Sequence, residues 1–282
     1  VQAIINGDED TLKSLLEDDP DLIRARSTSS HQCTLLHYIA ANGIERELQK
    51  TPPNAVEIVR ILLDAGAEVD ALAETYGGGP NQTTLILLIT SKHPAEAGLQ
   101  SALVDALCEA GAAVNGVNGS GGPLNAAVDF MYPPPGFLAQ QVQSARETIA
   151  TLARHGVDVN NIFAAIVVGQ IEYVKDHFNR PENIDDSKEH RIAFMFACMS
   201  GHIEIARFLL EKGVDINATY RQNQTGLHLA TGCNHQDLVE FLIHHGADLN
   251  ARDAQDRTPL AWAEKYEFAA IANLLREHGA QG

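Results

Sequence analysis

The feature that most constrains this chain is a glycine signal that returns at a fixed interval. Gly213 opens GVDINA, Gly246 opens GADLNA and Gly279 opens a shortened GA, so the punctuation falls every 33 residues. Self-similarity at such a period means stacked supersecondary units, each burying its apolar face only against its neighbours. The stretch 219–251 shows one unit whole. Thr225 stands where an N-cap belongs. One unit later Thr258-Pro259 supplies a cap hydroxyl and a proline at the first helical position, where no amide hydrogen bond is lost. Leu227, Leu229 and Ala230 give a short helix, and Leu238, Val239, Phe241, Leu242 and Ile243 give a second over 236–245. Gly246 ends it in the left-handed conformation that closes a helix.

These signals resemble the ankyrin repeat. The resemblance rests on Thr225-Gly226-Leu227-His228-Leu229-Ala230, on Thr258-Pro259-Leu260, on the run Gly201-His202-Ile203-Glu204-Ile205-Ala206-Arg207-Phe208-Leu209-Leu210, and on the recurring glycines. It implies an all-α solenoid of about seven to eight helix-pair units with short β-hairpin fingers. Residues 1–282 are then one repeat domain. Its N-terminal capping unit is 1–26, where Leu12, Leu15 and Leu16 follow the Gly7-Asp8 break. Enlarged repeats span 27–71, 72–116 and 117–160, and an abbreviated repeat with a loop spans 161–187. Further repeats cover 188–218 and 219–251, and a C-terminal capping repeat covers 252–282. In the enlarged repeats Gly66, Gly111 and Gly156 lie 45 apart because each carries an insertion between its helices, at 44–54, 93–99 and 132–138. Insertions of this kind resemble those of bacterial ankyrin proteins. The chain opens inside a helical pattern, which leads us to expect a preceding segment.

Composition narrows the partner. Lys and Arg number 20 against 37 Asp and Glu, a net charge of −17, so nucleic acid is not expected, because phosphate binding needs clustered positive charge. No apolar run reaches the ~18 residues of a membrane span. Cys33, Cys108, Cys198 and Cys233 lie far apart without a CxxC pair and read as reduced packing residues, which points to the cytoplasm. No HExxH, GxSxG or phosphate-loop motif occurs, so neither catalysis nor a cofactor is expected. His93 and Glu96 stand one turn apart, but Pro94 intervenes and no third ligand is evident, so no metal site is expected either. The resemblance implies that His37 and His228 hydrogen-bond neighbouring backbone. His244, His245 and His278 fall in last turns, where an imidazole suits the helix dipole.

Two binding readings remain. The resemblance implies that partners are met by the fingers and by the exposed side of each first helix. On the first helices this selects Asp129, Phe130, Val167, Val168, Met199, Lys265 and Tyr266. Near the fingers it selects Arg191, Arg221, Gln222, Gln224 and Arg257. Read in order, these residues form an apolar centre at Phe130, Val167, Val168 and Met199 followed by a cationic flank, the usual layout of a protein interface. The competing reading is that the shortened fourth repeat partly buries Val167, Val168 and Met199. The expectation is a monomeric, non-catalytic module that binds one protein partner. The alternative is a small molecule or anion, held beside the abbreviated repeat or at the glycine-rich finger 76–84, where Gly78, Gly79, Thr83 and Thr84 lead into a helix N-terminus.

Overall fold

The computed structural model describes residues 1–41, 48–75, 79–117, 122–131, 138–159, 161–180 and 187–281. Gly78 of the glycine-rich finger, residues 44–47 of the first insertion and residues 132–137 of the third lie outside them. The chain divides into two compact units, residues 1–132 with 144–158, and residues 133–143 with 159–282.

In the first unit α1 (Gln2–Asn6) and α2 (Glu9–Asp18) form the opening pair, followed by a 3-10 turn at Pro20–Arg24. A 3-10 helix at Leu35–Ala40 pairs with α3 (Ala55–Asp64). The hairpin of β1 (Leu72–Thr75) and β2 (Gly79–Thr83) leads to α4 (Thr84–Ile89), the inserted α5 (Lys92–Glu96) and α6 (Gln100–Glu109). Then come α7 (Pro123–Phe130) and α8 (Leu138–Arg154), of which residues 144–154 belong to this unit. The hairpin is antiparallel, with Leu72 opposite Thr83 and Ala73 opposite Gln82.

Among its described residues the second unit holds residues 138–143 of α8 and then four helix pairs in succession. They are α9 (Ile162–Val167) with α10 (Ile171–Asn179), α11 (Ser187–Ser200) with α12 (Ile203–Glu211), α13 (Gly226–Gly232) with α14 (Gln236–His244), and α15 (Pro259–Lys265) with α16 (Ala269–Glu277).

The two helices of a pair are built differently because they are buried differently. Second helices show one stripe, at Ile58, Val59 and Leu62 of α3, Leu103, Val104 and Leu107 of α6, and Leu238, Val239 and Leu242 of α14, with charged residues opposite. Each such side chain contributes about 1.5–3 kcal/mol by leaving water. First helices are buried more completely, and in α4 and α13 every residue is interior. Gly246 closes α14 at φ +86, with its N–H on Ile243 O and the Ala247 N–H on Leu242 O. An added Cβ there would meet nothing within 4 Å, so the requirement for glycine comes from backbone conformation alone.

A second regularity ties successive repeats together within each unit. Asp70 accepts the N–H of Ala113, and Asn115 accepts that of Asp158 at 2.8 Å. In the second unit Asn217 accepts from Asp248 at 2.8 Å and Asn250 from Gln281 at 2.7 Å. In these four outer turns the last polar residue therefore holds the turn of the next repeat.

Three local expectations are corrected. Leu15 does not pack with Leu12 and Leu16 but is 46% exposed. The first helix of the repeat at 27–71 is a 3-10 helix rather than an α-helix, ended by Ala41 at φ +48, and at six residues it is near the length that geometry tolerates. The insertion at 93–99 is not all loop. Pro94 sits in the first turn of α5, where its missing N–H removes no helical bond. Among the described residues no helix is long and apolar enough to cross a membrane.

Candidate partner-binding surface

The fingers of the last two repeats are fixed in shape by their own hydrogen bonds. At 219–225 the chain turns back on itself, with a bridge between Thr219 and Thr225. The Gln224 N–H bonds Arg221 O at 3.2 Å and the Tyr220 N–H bonds Gln224 O at 2.9 Å. Gln222 and Asn223, at φ +58 and +56, form the tip, the paired left-handed conformation of a tight hairpin turn. Neither is a glycine, so the tip carries strain that its surroundings hold in place.

The finger at 252–257 is organised around Asp253, whose side chain is fully buried. Its carboxylate accepts from the Gln255 and Arg257 N–H groups at 2.9 and 3.0 Å, from Arg257 Nε and Nη2 at 2.9 and 2.7 Å, and from Trp262 Nε1 at 2.9 Å. Burial alone would raise this carboxyl. The hydrogen bonds from Arg257, Trp262 and Gln255 together outweigh it and bring the pKa down to about 2.

The two fingers are joined. The Ala254 N–H bonds Gln222 O at 2.7 Å, Gln255 Nε2 donates to Gln222 Oε1 at 3.1 Å, and Arg257 Nη2 donates to Gln255 Oε1 at 2.8 Å. Behind them His228 takes the Thr225 N–H on Nδ1 and donates from Nε2 to Arg257 O at 3.0 Å. From the finger a row of cations and rings follows α15. The Arg257 guanidinium lies 5.2 Å over Trp262, Trp262 meets Tyr266 edge-on at 6.1 Å, and Lys265 Nζ lies 5.3 Å over Tyr266.

This geometry, a helix pair with a hairpin finger at each 33-residue step, agrees with what sequence comparison finds. Residues 161–253 and 220–282 match the family of ankyrin repeats in three copies. This is an ankyrin-repeat protein. No curated protein matches the chain. Residues 1–160 lie outside the matched segment, yet they carry the same alternation of buried first helix and striped second helix.

The ankyrin frame sorts the residues expected at the surface. Arg191, Arg221, Gln222 and Lys265 are exposed in the second unit, with Arg257, Tyr266 and Val168 half-buried. Asp129 is exposed and Phe130 half-buried in the first unit. Three expected residues are interior: Val167 is 5% exposed, Met199 2% and Gln224 8%. For Val167 and Met199 the reason is that α11 packs over α9 and α13 over α11, which takes these two side chains between successive first helices. What Val167 and Met199 contribute is main chain. Val167 O accepts His202 Nε2 at 2.8 Å and Met199 O accepts His235 Nε2 at 2.9 Å.

Of the residues named for an anion, Gly78 lies outside the described residues. Thr83 is buried and its hydroxyl caps α4 by accepting the Ile86 N–H at 3.3 Å, and Thr84 is interior. Gly79 is part of β2. Beside the abbreviated repeat the His202 imidazole packs against Gly169, 2.9 Å from where a Cβ on that residue would stand.

Histidines at the first-helix start act as the family implies. His37 Nδ1 accepts the Thr34 N–H at 3.2 Å, Nε2 donates to Gln82 O at 3.4 Å, and burial lowers its pKa to about 4. In the last turns His245 and His278 bond the carbonyls of Phe241 and Leu274. All four cysteines are free thiols, and burial raises the pKa of Cys108 to about 11. Among the described residues no group of three or more His, Cys, Asp or Glu could hold a metal ion.

Asp253 was missed by sequence reasoning. Arg257 was read as a free surface cation, and the signal that could have corrected it is the Asp-x-x-x-Arg spacing across a four-residue turn, which brings the two side chains together.

Proposed function

We propose that this ankyrin-repeat protein is a non-catalytic binding module that holds a partner protein on the fingers and first-helix ends of its second unit. The observation that carries this reading is the joined pair of fingertips. Gln222, Gln255 and Arg257 are locked in one hydrogen-bonded row, so Arg221, Gln222 and Lys265 stand exposed on a frame that loses little conformational entropy when a partner binds. Side chains on a pre-set turn are the usual carriers of recognition on a repeat scaffold. The free thiols support a reducing compartment, and we place the protein in the cytoplasm as a monomer.

The test is site-specific photo-crosslinking in cells of the source organism. A crosslinking residue at Gln222 should capture a discrete partner protein, while one at Glu240, exposed on the opposite helix α14, should not. Equal capture from both positions, or none from Gln222, would sink the reading. A charge reversal at Arg257 would not test this reading, because removing the guanidinium strips the buried Asp253 of its counter-charge.

A further inference from the structure

Two exposed imidazoles from different repeats meet at the ends of second helices in the second unit. His244 is the last residue of α14 and His278 directly follows α16, and their ring centroids lie 5.6 Å apart with the planes at 86°. They stand 34 positions apart in the chain and come together because α14 packs against α16. The hydrogen bonding of each ring leaves a nitrogen available. His278 Nδ1 donates to Leu274 O at 3.1 Å, so in the neutral ring the proton sits on Nδ1 and Nε2 keeps its lone pair. Among the described residues His244 has no hydrogen-bond partner, so its ring can turn a nitrogen toward His278 without breaking a bond. The neighbouring His245 is held differently, with its ring 4.0 Å from that of Phe241 and its Nδ1 on Phe241 O at 2.7 Å.

From this contact we infer that His244 and His278 form a two-imidazole chelate for a divalent transition-metal ion of the zinc or nickel kind, which ties the last two repeats together. With metal–nitrogen bonds near 2.0 Å, two imidazoles on one tetrahedral ion have centroids about 5 Å apart. The pair stands close to that separation in the free protein. Imidazole nitrogen suits zinc, nickel and copper, whereas magnesium and calcium take oxygen ligands. Among the described residues no third His, Cys, Asp or Glu joins the pair, so water completes the coordination. Such a site is open and weaker than a structural zinc centre with four protein ligands. Its two ligands are brought together only when the repeats are stacked, so an ion that binds there stabilises the stacked form over the unfolded one.

The experiment is amide hydrogen exchange of the full chain titrated with zinc chloride, and with magnesium chloride at equal ionic strength, in buffer free of imidazole and chelator. Zinc should slow exchange across α14 and α16 and leave α3 and α6 unchanged, and magnesium should do neither. The zinc concentration that gives half of the slowing should rise at least about tenfold in His244→Ala and in His278→Ala, because a single imidazole lacks the effective concentration of the second. His245→Ala should leave it unchanged. All three positions are exposed, and unchanged helical circular dichroism verifies folding. Equal slowing by magnesium would reduce the effect to screening of the acidic chain and overturn the inference. So would a zinc response that survives His278→Ala, or the absence of any response to zinc. None of these outcomes bears on capture of a partner at Gln222, so this site and the fingertip face stand or fall separately.

Discussion

The two units of this ankyrin-repeat protein solve one problem in different ways. In the second unit the step from first to second helix takes only a few residues, and in two of its repeats the residue that opens the second helix reaches back one repeat. His202 and His235 are the N-cap residues of α12 and α14, yet neither caps its own helix. Each donates instead to the carbonyl at the end of the preceding first helix. In the first unit the step is lengthened, and the same bond passes to other chemistry. Asn54, N-cap of α3, donates to Gly7 O at 2.9 Å, and Ser91, which opens the inserted α5, donates to Ala41 O at 3.3 Å. The insertion precedes the bonding residue in one repeat and follows it in the next. An insertion is therefore tolerated on either side of this bond, so long as some donor still reaches the preceding repeat.

The largest effect should come from the second unit. Asp253→Ala leaves a guanidinium, an indole N–H and two backbone N–H groups without their acceptor. Breaking a buried charge pair from one side costs about 3–5 kcal/mol. Urea denaturation should show that loss, with hydrogen exchange rising across 219–235 and 252–266. A loss below about 1 kcal/mol would show that the fingers hold without this carboxylate.

Acid should act in two windows, one set by buried histidines and one by Asp253. His37, in the first unit, is neutral when folded, with a pKa of about 4 against ~6.5 unfolded. Its folded pKa is depressed, so the unfolded chain takes up the proton first. Stability is then full above pH ~6.5 and falls by roughly 3 kcal/mol as the pH drops to about 4. His228 is lowered too, chiefly by burial, and adds loss in the same direction. Asp253, whose folded pKa is about 2, stabilises above its unfolded value of ~3.9 and loses that contribution only as pH falls through 2. Urea midpoints measured against pH should flatten between pH 6.5 and 4 in His37→Asn. An unchanged slope would remove His37 from the account.

Gln100 tests the enlarged step itself. Its Nε2 donates to the carbonyls of Leu88, Ile89 and Ser91, and its Oε1 accepts from Ser144 at 2.7 Å and Thr148 at 3.4 Å, all in the interior. Gln100→Leu keeps the volume but leaves these groups without their partner, at a cost of about 2–3 kcal/mol. Faster hydrogen exchange should appear over 84–109. If exchange there is unaltered, the insertion is closed by packing alone.

How much of this could be read beforehand depended on the kind of signal. Helix pairs and their ends were legible because periodicity and Gly213, Gly246 and Gly279 act locally. Burial at the first helices was not. Val167 and Met199 occupy positions that face outward on a single repeat, and only the covering of one first helix by the next takes them inside. The donors Asn54, Ser91 and Gln100 were illegible for a related reason. Their role is defined by a carbonyl 9 to 50 residues away, and amides and hydroxyls serve it as well as the imidazole that the repeat pattern leads one to seek. Arg221 and Lys265 were legible because fingertips and helix ends stay exposed whatever stacks beside them.

The smallest effect probes whether the two kinds of bond are interchangeable. His235→Ala should cost about 1 kcal/mol for one lost hydrogen bond, and His235→Asn less, if the amide can serve α14 as Asn54 serves α3. Gly201 tightens the test. It holds φ +78, and a Cβ there would lie 2.7 Å from His235 Nδ1. Gly201→Ala therefore combines backbone strain with a steric clash, and only the clash depends on the imidazole. In the His235→Ala background the clash is gone, so the double variant should be more stable than the sum of the single losses implies. Strict additivity in a double-mutant cycle would mean that Gly201 is required by its backbone alone, and that the close seating of one repeat's imidazole under the previous repeat's glycine adds nothing to the stack.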